Sequence, residues 1–238
     1  MSKAGRRIGT AMRGNMQDAY DKRGSALATL YSSYSLKCRM DVVPSTDLQF
    51  LHFLWCESEP AVAKVSYRPT SLLRDRLGET GYTCEVVTAH GVLELRRLRY
   101  SRRSQPSKHM TEQAEACAAE FRRLGKSLLG RFMKVEIREI SDQDFIPGNE
   151  ILLRNWQRLL SRYALTRNHS LEHAKRLVLA RLASSDGPVS LFELLEMSCP
   201  GAESGLILSA LIESNAFGEC LSDLGAVDWS MRTNFYRR

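Results

Sequence analysis

The sequence predicts an α/β fold, a mixed sheet with flanking helices, followed by a helical domain. Two observations carry that prediction. Up to residue 145, segments of alternating apolar and polar residues interleave with helical periods, which is the order of an α/β core. Beyond Ile146-Pro147-Gly148-Asn149 the pattern is helical with short breaks, so this turn marks a domain boundary. Residues 1–33 read as a flexible basic arm, 34–145 as the sheet domain and 149–238 as the helical domain.

Taken in order, residues 25–40 hold a moderately apolar stretch whose type stays open. After Pro44, Ser45 or Thr46 can cap a helix with apolar residues at 48, 50, 51, 53, 54 and 55, and Glu59-Pro60 ends it. Residues 61–69 alternate as a strand does, with Val62, Val65 and Tyr67 as its apolar members. Residues 81–87 and 92–98 read as a hairpin around Ala89-His90-Gly91. A polar loop follows, then a helix over 110–128 rich in Ala, Glu, Gln and Arg, then a strand over 132–140. In the second half, 149–164 keeps a period near 3.6, and Ser170 opens a helix over 170–185. A helix starting near Ser190, a turn at Cys199-Pro200-Gly201 and a helix from Ala202 to Ser214 form a helix-turn-helix pattern, and the tail supplies a small β-wing.

The chain has 238 residues and a net charge of +7, which favours acidic partners such as nucleic acid. No apolar run reaches the roughly 20 residues of a membrane helix. The basic N-terminus lacks an apolar core, so no secretory signal is expected. Six isolated cysteines, with no CxxC pair, point away from zinc and disulfide frameworks and toward a reducing, cytoplasmic compartment. The charge is uneven. Residues 1–44 hold eight basic against three acidic residues, with Arg6, Arg7, Arg13, Lys37 and Arg39 among them. A second cluster runs through Arg96, Arg97, Arg99, Arg102, Arg103 and Lys108. Basic stretches broken by Gly, Ser and Tyr suit phosphate contact; a solvated surface is the alternative. The helix 202–214 has no Lys or Arg, which argues against its reading bases and favours protein contact or packing.

The hairpin holds the residues with chemistry in prospect. Glu85 lies on its first strand, and Glu94 and Arg96 lie two apart on its second, hence on one face. Two carboxylates facing each other across a hairpin hold a hard cation such as Mg²⁺, which polarises a phosphate and activates a water. Acid, turn, acid-x-basic is the outline of a PD-(D/E)xK nuclease centre. The bland alternative is a solvated cross-strand salt bridge.

The surroundings of the hairpin resemble the TnsA family of transposon endonucleases. The match runs through Ser35 and Lys37, the segment Ser45 to Gln49, Glu59-Pro60, Val62 and Arg68-Pro69. It continues with Tyr82-Thr83-Cys84-Glu85-Val86, Gly91 and Glu94-Leu95-Arg96. It covers most of residues 34–230 and rests on order and spacing more than on identities. The resemblance implies a restriction-endonuclease-like sheet domain and a winged-helix-like second domain. It implies DNA, a DDE-type transposase and an AAA+ ATPase regulator as partners, at transposon ends in the bacterial nucleoid. It places Gln49, Glu85, Glu94 and Arg96 at the catalytic positions, with Glu85 and Glu94 as Mg²⁺ ligands. Three of these depart from the family: Gln49 for a glutamate, Glu85 for an aspartate, and Arg96 for a lysine. Arginine stays protonated and cannot serve as a base. Three readings stay open: a catalytically degenerate nuclease, an active Mg²⁺-dependent endonuclease with altered ligands that cuts 5′ strands, and a winged-helix DNA-binding regulator.

Overall fold

A computed structural model describes residues 31–44, 46–67, 84–101, 134–196 and 203–238. Its mixed sheet and several helices make the chain an α/β protein. Two short antiparallel strands, β1 (Ser33–Ser35) and β2 (Met40–Val42), lie in and just after the stretch whose type the sequence left open. Thr46 caps α1 (Asp47–Ser58), its hydroxyl accepting from the Gln49 amide at 3.1 Å. That bond satisfies one of the orphan donors of the first turn.

The main sheet has the order β3 (Val62–Ser66), β4 (Cys84–Thr88), β5 (Val92–Arg99), β6 (Lys134–Ser141). The β3/β4 and β4/β5 pairs are antiparallel and β5/β6 is parallel. The turn between β4 and β5 needs a left-handed residue, which Gly91 supplies with φ of 75°. A parallel pair needs a long crossover, and the chain between β5 and β6 has that length. The helix expected over 110–128 falls outside the described residues, as do residues 1–30.

The second half runs α2 (Asp142–Phe145), α3 (Glu150–Thr166), α4 (Glu172–Ala183), β7 (Val189–Ser190), α5 (Leu191–Leu195), α6 (Ser204–Ala216), β8 (Cys220–Ser222) and β9 (Asn234–Arg237). α4 begins with Leu171 at its cap rather than Ser170. Ser190 caps α5 in a reciprocal box with Glu193. The short strands of this half form a separate sheet in the order β7-β9-β8.

The change of pattern at Ile146–Asn149 is not a break in packing. Phe50, Phe53 and Leu54 of α1 and Val86 of β4 share one core with Trp156, Leu159 and Leu160 of α3 and with Ile212 and Ala216 of α6. The other side of α6 contributes Ile207, Ala210 and Leu211 to a second core with α4, α5 and β9. The expected division into 34–145 and 149–238 therefore marks a change of architecture, while α3 and α6 complete the core of the first part. Asn155 on α3 adds a polar clamp. Its amide donates to the Leu224 and Val227 carbonyls at 2.8 and 2.7 Å, and its oxygen accepts from the Trp229 amide at 2.9 Å.

Candidate functional site

Glu94 and Arg96 lie on the same face of β5, as their spacing requires, and both are buried. Arg96 Nε donates to Glu94 Oε2 at 2.7 Å, and Nη2 lies 2.6 Å from the same oxygen. The other carboxylate oxygen is 3.3 Å from Arg138 Nη1 on β6. Arg138 is itself half exposed and also bridges to Glu136 at 3.3 Å, with Lys134 on the far side of Glu136 at 2.8 Å. Parallel pairing sets this pattern, because it places Glu94 beside Glu136 and Arg96 beside Arg138. Each acid thus sits diagonal to a base, and the ladder of charges runs from the interior to the surface.

The helix α1 covers the buried end of that ladder. Arg96 Nη1 donates to His52 Nε2 at 3.0 Å. A guanidinium has no lone pair to offer, so Nε2 accepts and the ring proton sits on Nδ1. Nδ1 is 2.8 Å from the Tyr67 hydroxyl, which donates to the Gln49 carbonyl at 3.0 Å. Burial, and then the charge of Arg96, hold His52 well below the usual histidine range, so the ring is neutral. The Trp55 ring lies 5.2 Å below the Arg96 guanidinium carbon. Cys56 Sγ is 3.6 Å from Arg96 Nη1. Burial pushes the Cys56 thiol up to about 12 and Cys84 well above its usual value, so neither is a thiolate at neutral pH. Within this cluster, the neutral histidine and the buried thiols offer no poised base or nucleophile.

The expected carboxylate pair does not form. Glu85 is opposite Leu95 in the hairpin and Glu94 is opposite Val86. Cross-strand partners share a face and neighbours alternate, so Glu85 and Glu94 point to opposite sides of the sheet. The β4 residue that shares a face with Glu94 and pairs with Arg96 is Cys84. The fit to Mg²⁺ fails on this chemistry. One acid is on the wrong face, and both oxygens of the other are held by arginines. A hard cation needs several free oxygens. Among the described residues no cluster of three or more His, Cys, Asp or Glu is placed to hold a metal. Gln49 enters the network through its backbone carbonyl.

Of the expected DNA contacts, Arg6, Arg7, Arg13, Arg102, Arg103 and Lys108 lie outside the described residues. Arg39 is exposed, 3.9 Å from Glu213, and Arg99 is ion-paired with Glu139. Arg97 is half-buried on the face of β5 opposite Arg96. Lys37 is a correction, because it is buried and cannot reach a phosphate. Its ammonium donates to the Glu59 carbonyl and, at 2.6 Å, to the Val62 carbonyl, so it ties the β1–β2 turn to the end of α1.

Beside Lys37, Glu57 is fully buried and accepts from Ser35 Oγ at 2.5 Å and from the Leu36 and Lys37 amides. Burial raises the Glu57 carboxyl from 4.5 to about 6 and lowers Lys37 from 10.5 to about 8. A raised acid holds its proton more tightly folded than unfolded. Its cost is therefore absent below pH 4.5 and grows until pH passes 6. Lys37 has the opposite sign, its cost being relieved as pH rises from 8 toward 10.5. Wild type is expected to lose about 2 kcal/mol relative to Glu57→Gln between those acid limits. Urea unfolding of both proteins at the two ends of that window measures it. A flat difference would mean that Glu57 ionises normally.

Sequence reasoning missed His52, Cys56, Tyr67 and Arg138. A signal existed for the first two, since positions 52 and 56 are one helical turn apart on α1. No family model matches the chain, and no curated protein is similar to it.

Proposed function

We propose that this chain is a DNA-associated subunit of TnsA-like design whose nuclease centre is degenerate. The observation that carries the reading is the fate of Glu94. The carboxylate at a ligand position is held by Arg96 and Arg138, while Glu85 faces the other way. In this reading β3 to β6 are the remnant of a restriction-endonuclease-like sheet. The second half, α4-β7-α5-α6-β8-β9 with its sheet order β7-β9-β8, follows the element order of a winged helix.

The helix that would read bases in such a domain is α6. It is buried on both sides by the two cores and carries no Lys or Arg. This supports a packing and protein-contact role for the second half and weighs against a stand-alone regulator. The chain would then position DNA for a DDE-type transposase under an AAA+ ATPase, with the transposase as the cutting partner.

A supercoiled plasmid tests this with the intact protein. The expected result is binding that weakens as salt rises, with no nicking in Mg²⁺ or Mn²⁺, and no Mn²⁺ site in a calorimetric titration. Nicking that Glu94→Ala abolishes would establish the active endonuclease instead. Absence of binding at low salt would remove DNA from the reading.

A further inference from the structure

A groove of about 820 Å³ lies between α3 and the β1–β2 segment, a volume usual for a small-molecule site. Its helical wall follows steps of three and four residues. Arg154, Gln157, Arg158, Ser161 and Ala164 share one face of α3, and Arg167 follows at the cap. The opposite wall carries the hydroxyls of Ser33 and Tyr34 and the carboxylate of Asp41. None of these arginines belongs to the network around Glu94 or to the basic clusters the sequence singled out.

The charge of this wall is arranged rather than scattered. Residues 151–171 contain no Asp or Glu, so the acids that meet these arginines come from elsewhere in the chain. Arg154, near the start of α3, donates to Asp228 at 3.2 Å, and Arg167, at its end, donates to Asp41 at 3.0 Å. Each bond uses Nη1 alone, which leaves Nε and Nη2 of both forks without a hydrogen bond among the described residues. The Arg167 guanidinium carbon also lies 5.7 Å from the Tyr34 ring centroid. Forks anchored in this way lose little further freedom when an anion binds. Arg158 stands between them, exposed and with no acidic partner among the described residues.

Three guanidinium groups against one lining carboxylate leave an excess of positive charge in the groove. Planar forks backed by uncharged hydroxyl and amide donors suit phosphoryl oxygens. One phosphate satisfies Arg158 alone. A chain of linked phosphates also reaches the free nitrogens of Arg154, one helical turn or about 6 Å along the axis. The ends of the row limit the length of the anion, because the Asp228 and Asp41 carboxylates stand there. A nucleic-acid strand would have to carry its phosphates past one of these acids, whereas a short polyanion stops before them.

We propose that this groove binds a short oligophosphate anion, the triphosphate of a nucleotide or free tripolyphosphate, with Arg158 as its central contact. The proposal does not rest on the DNA-associated reading and adds a small-molecule site to the helix that joins the two cores.

The test is calorimetric titration of the intact protein with sodium tripolyphosphate and, separately, with ATP, both in EDTA. One saturable site is expected, weakening as NaCl rises. Arg158→Ala should weaken it by about tenfold, the loss of a charge-assisted fork. Ser161→Tyr fills the groove without changing its charge and should weaken it by a similar factor, about tenfold. Arg162→Ala, one turn beyond Arg158 and outside the lining, should bind as wild type does. All three positions are exposed, so the variants should melt within a few degrees of wild type. Equal affinity for the two ligands assigns the phosphates alone as the recognised part, and tighter ATP assigns a nucleotide; both support the site. An absence of saturable binding by either ligand overturns it. So does an equal loss in Arg158→Ala and Arg162→Ala, which would mean diffuse attraction to a basic surface. If an oligonucleotide binds in an Arg158-dependent way while neither small ligand does, the groove belongs to the strand and the proposal is overturned while the DNA reading stands.

Discussion

Glu94→Leu is expected to destabilise the protein by about 3–5 kcal/mol, because it leaves the Arg96 guanidinium buried without its carboxylate. At about 2–4 °C per kcal/mol for a chain of this size, the melting point should fall by roughly 10 °C. Arg96→Met should cost less, since Glu94 keeps Arg138 at 3.3 Å. The double replacement, Glu94→Leu/Arg96→Met, should recover most of the loss by removing both charges together. Thermal unfolding of the three variants measures this order. The sign is informative as well. Clustered carboxylates kept for metal chemistry are commonly a burden on stability, so an active centre predicts a neutral or stabilising Glu94→Leu. A fall of the expected size identifies the pair as a structural cross-link between β5, β6 and the arginine network under α1.

Trp156→Ala should cost about 3–5 kcal/mol, the range for truncating a large aromatic in a packed core. Trp156 is fully buried in the core that α1, β3 and β4 share with α3. Among the described residues its indole Nε1 has no hydrogen-bond partner, so Trp156→Phe removes an unsatisfied donor along with some volume and should cost far less. The second expectation concerns cooperativity. Because α3 completes the core of the first part, calorimetry should show one transition that moves as a whole in both variants. Two separate transitions, with only the later one shifted by Trp156→Ala, would show that the halves fold independently.

The strands and helices were legible because their periods are strong. Alternation marked β3 and β6, the turn at Gly91 marked the β4–β5 hairpin, a polar cap placed α1, and the start of α5 was expected near Ser190. The packing of the two halves on one another was not legible. A sequence shows that Leu153, Trp156 and Leu160 form an apolar face, but not which surface that face meets. The error at the site has a simpler cause. The turn expected at Ala89-His90-Gly91 is centred on His90, and that centre already pairs 94 with 86 and 95 with 85. Register follows from the turn, and one residue of slip moves a side chain through the sheet. Lys37 illustrates a different limit. Composition counts its charge with the basic excess of residues 1–44, yet the side chain spends that charge on two main-chain carbonyls inside the protein.

The position of α3 in the chain also bears on synthesis. The apolar face of α1 is complete once residue 58 has been added, but α3, the first long helix of its cover, ends only at residue 166. At cellular elongation rates that interval lasts roughly 5–20 s. Through that time Phe50, Phe53 and Leu54 on the nascent chain lack their final partners, and the parallel strand β6 is also still to come. Such a chain has a long opportunity to meet chaperones or other nascent copies before it closes, so slowing or speeding translation between α1 and α3 should change the yield of soluble protein more than the same change made downstream.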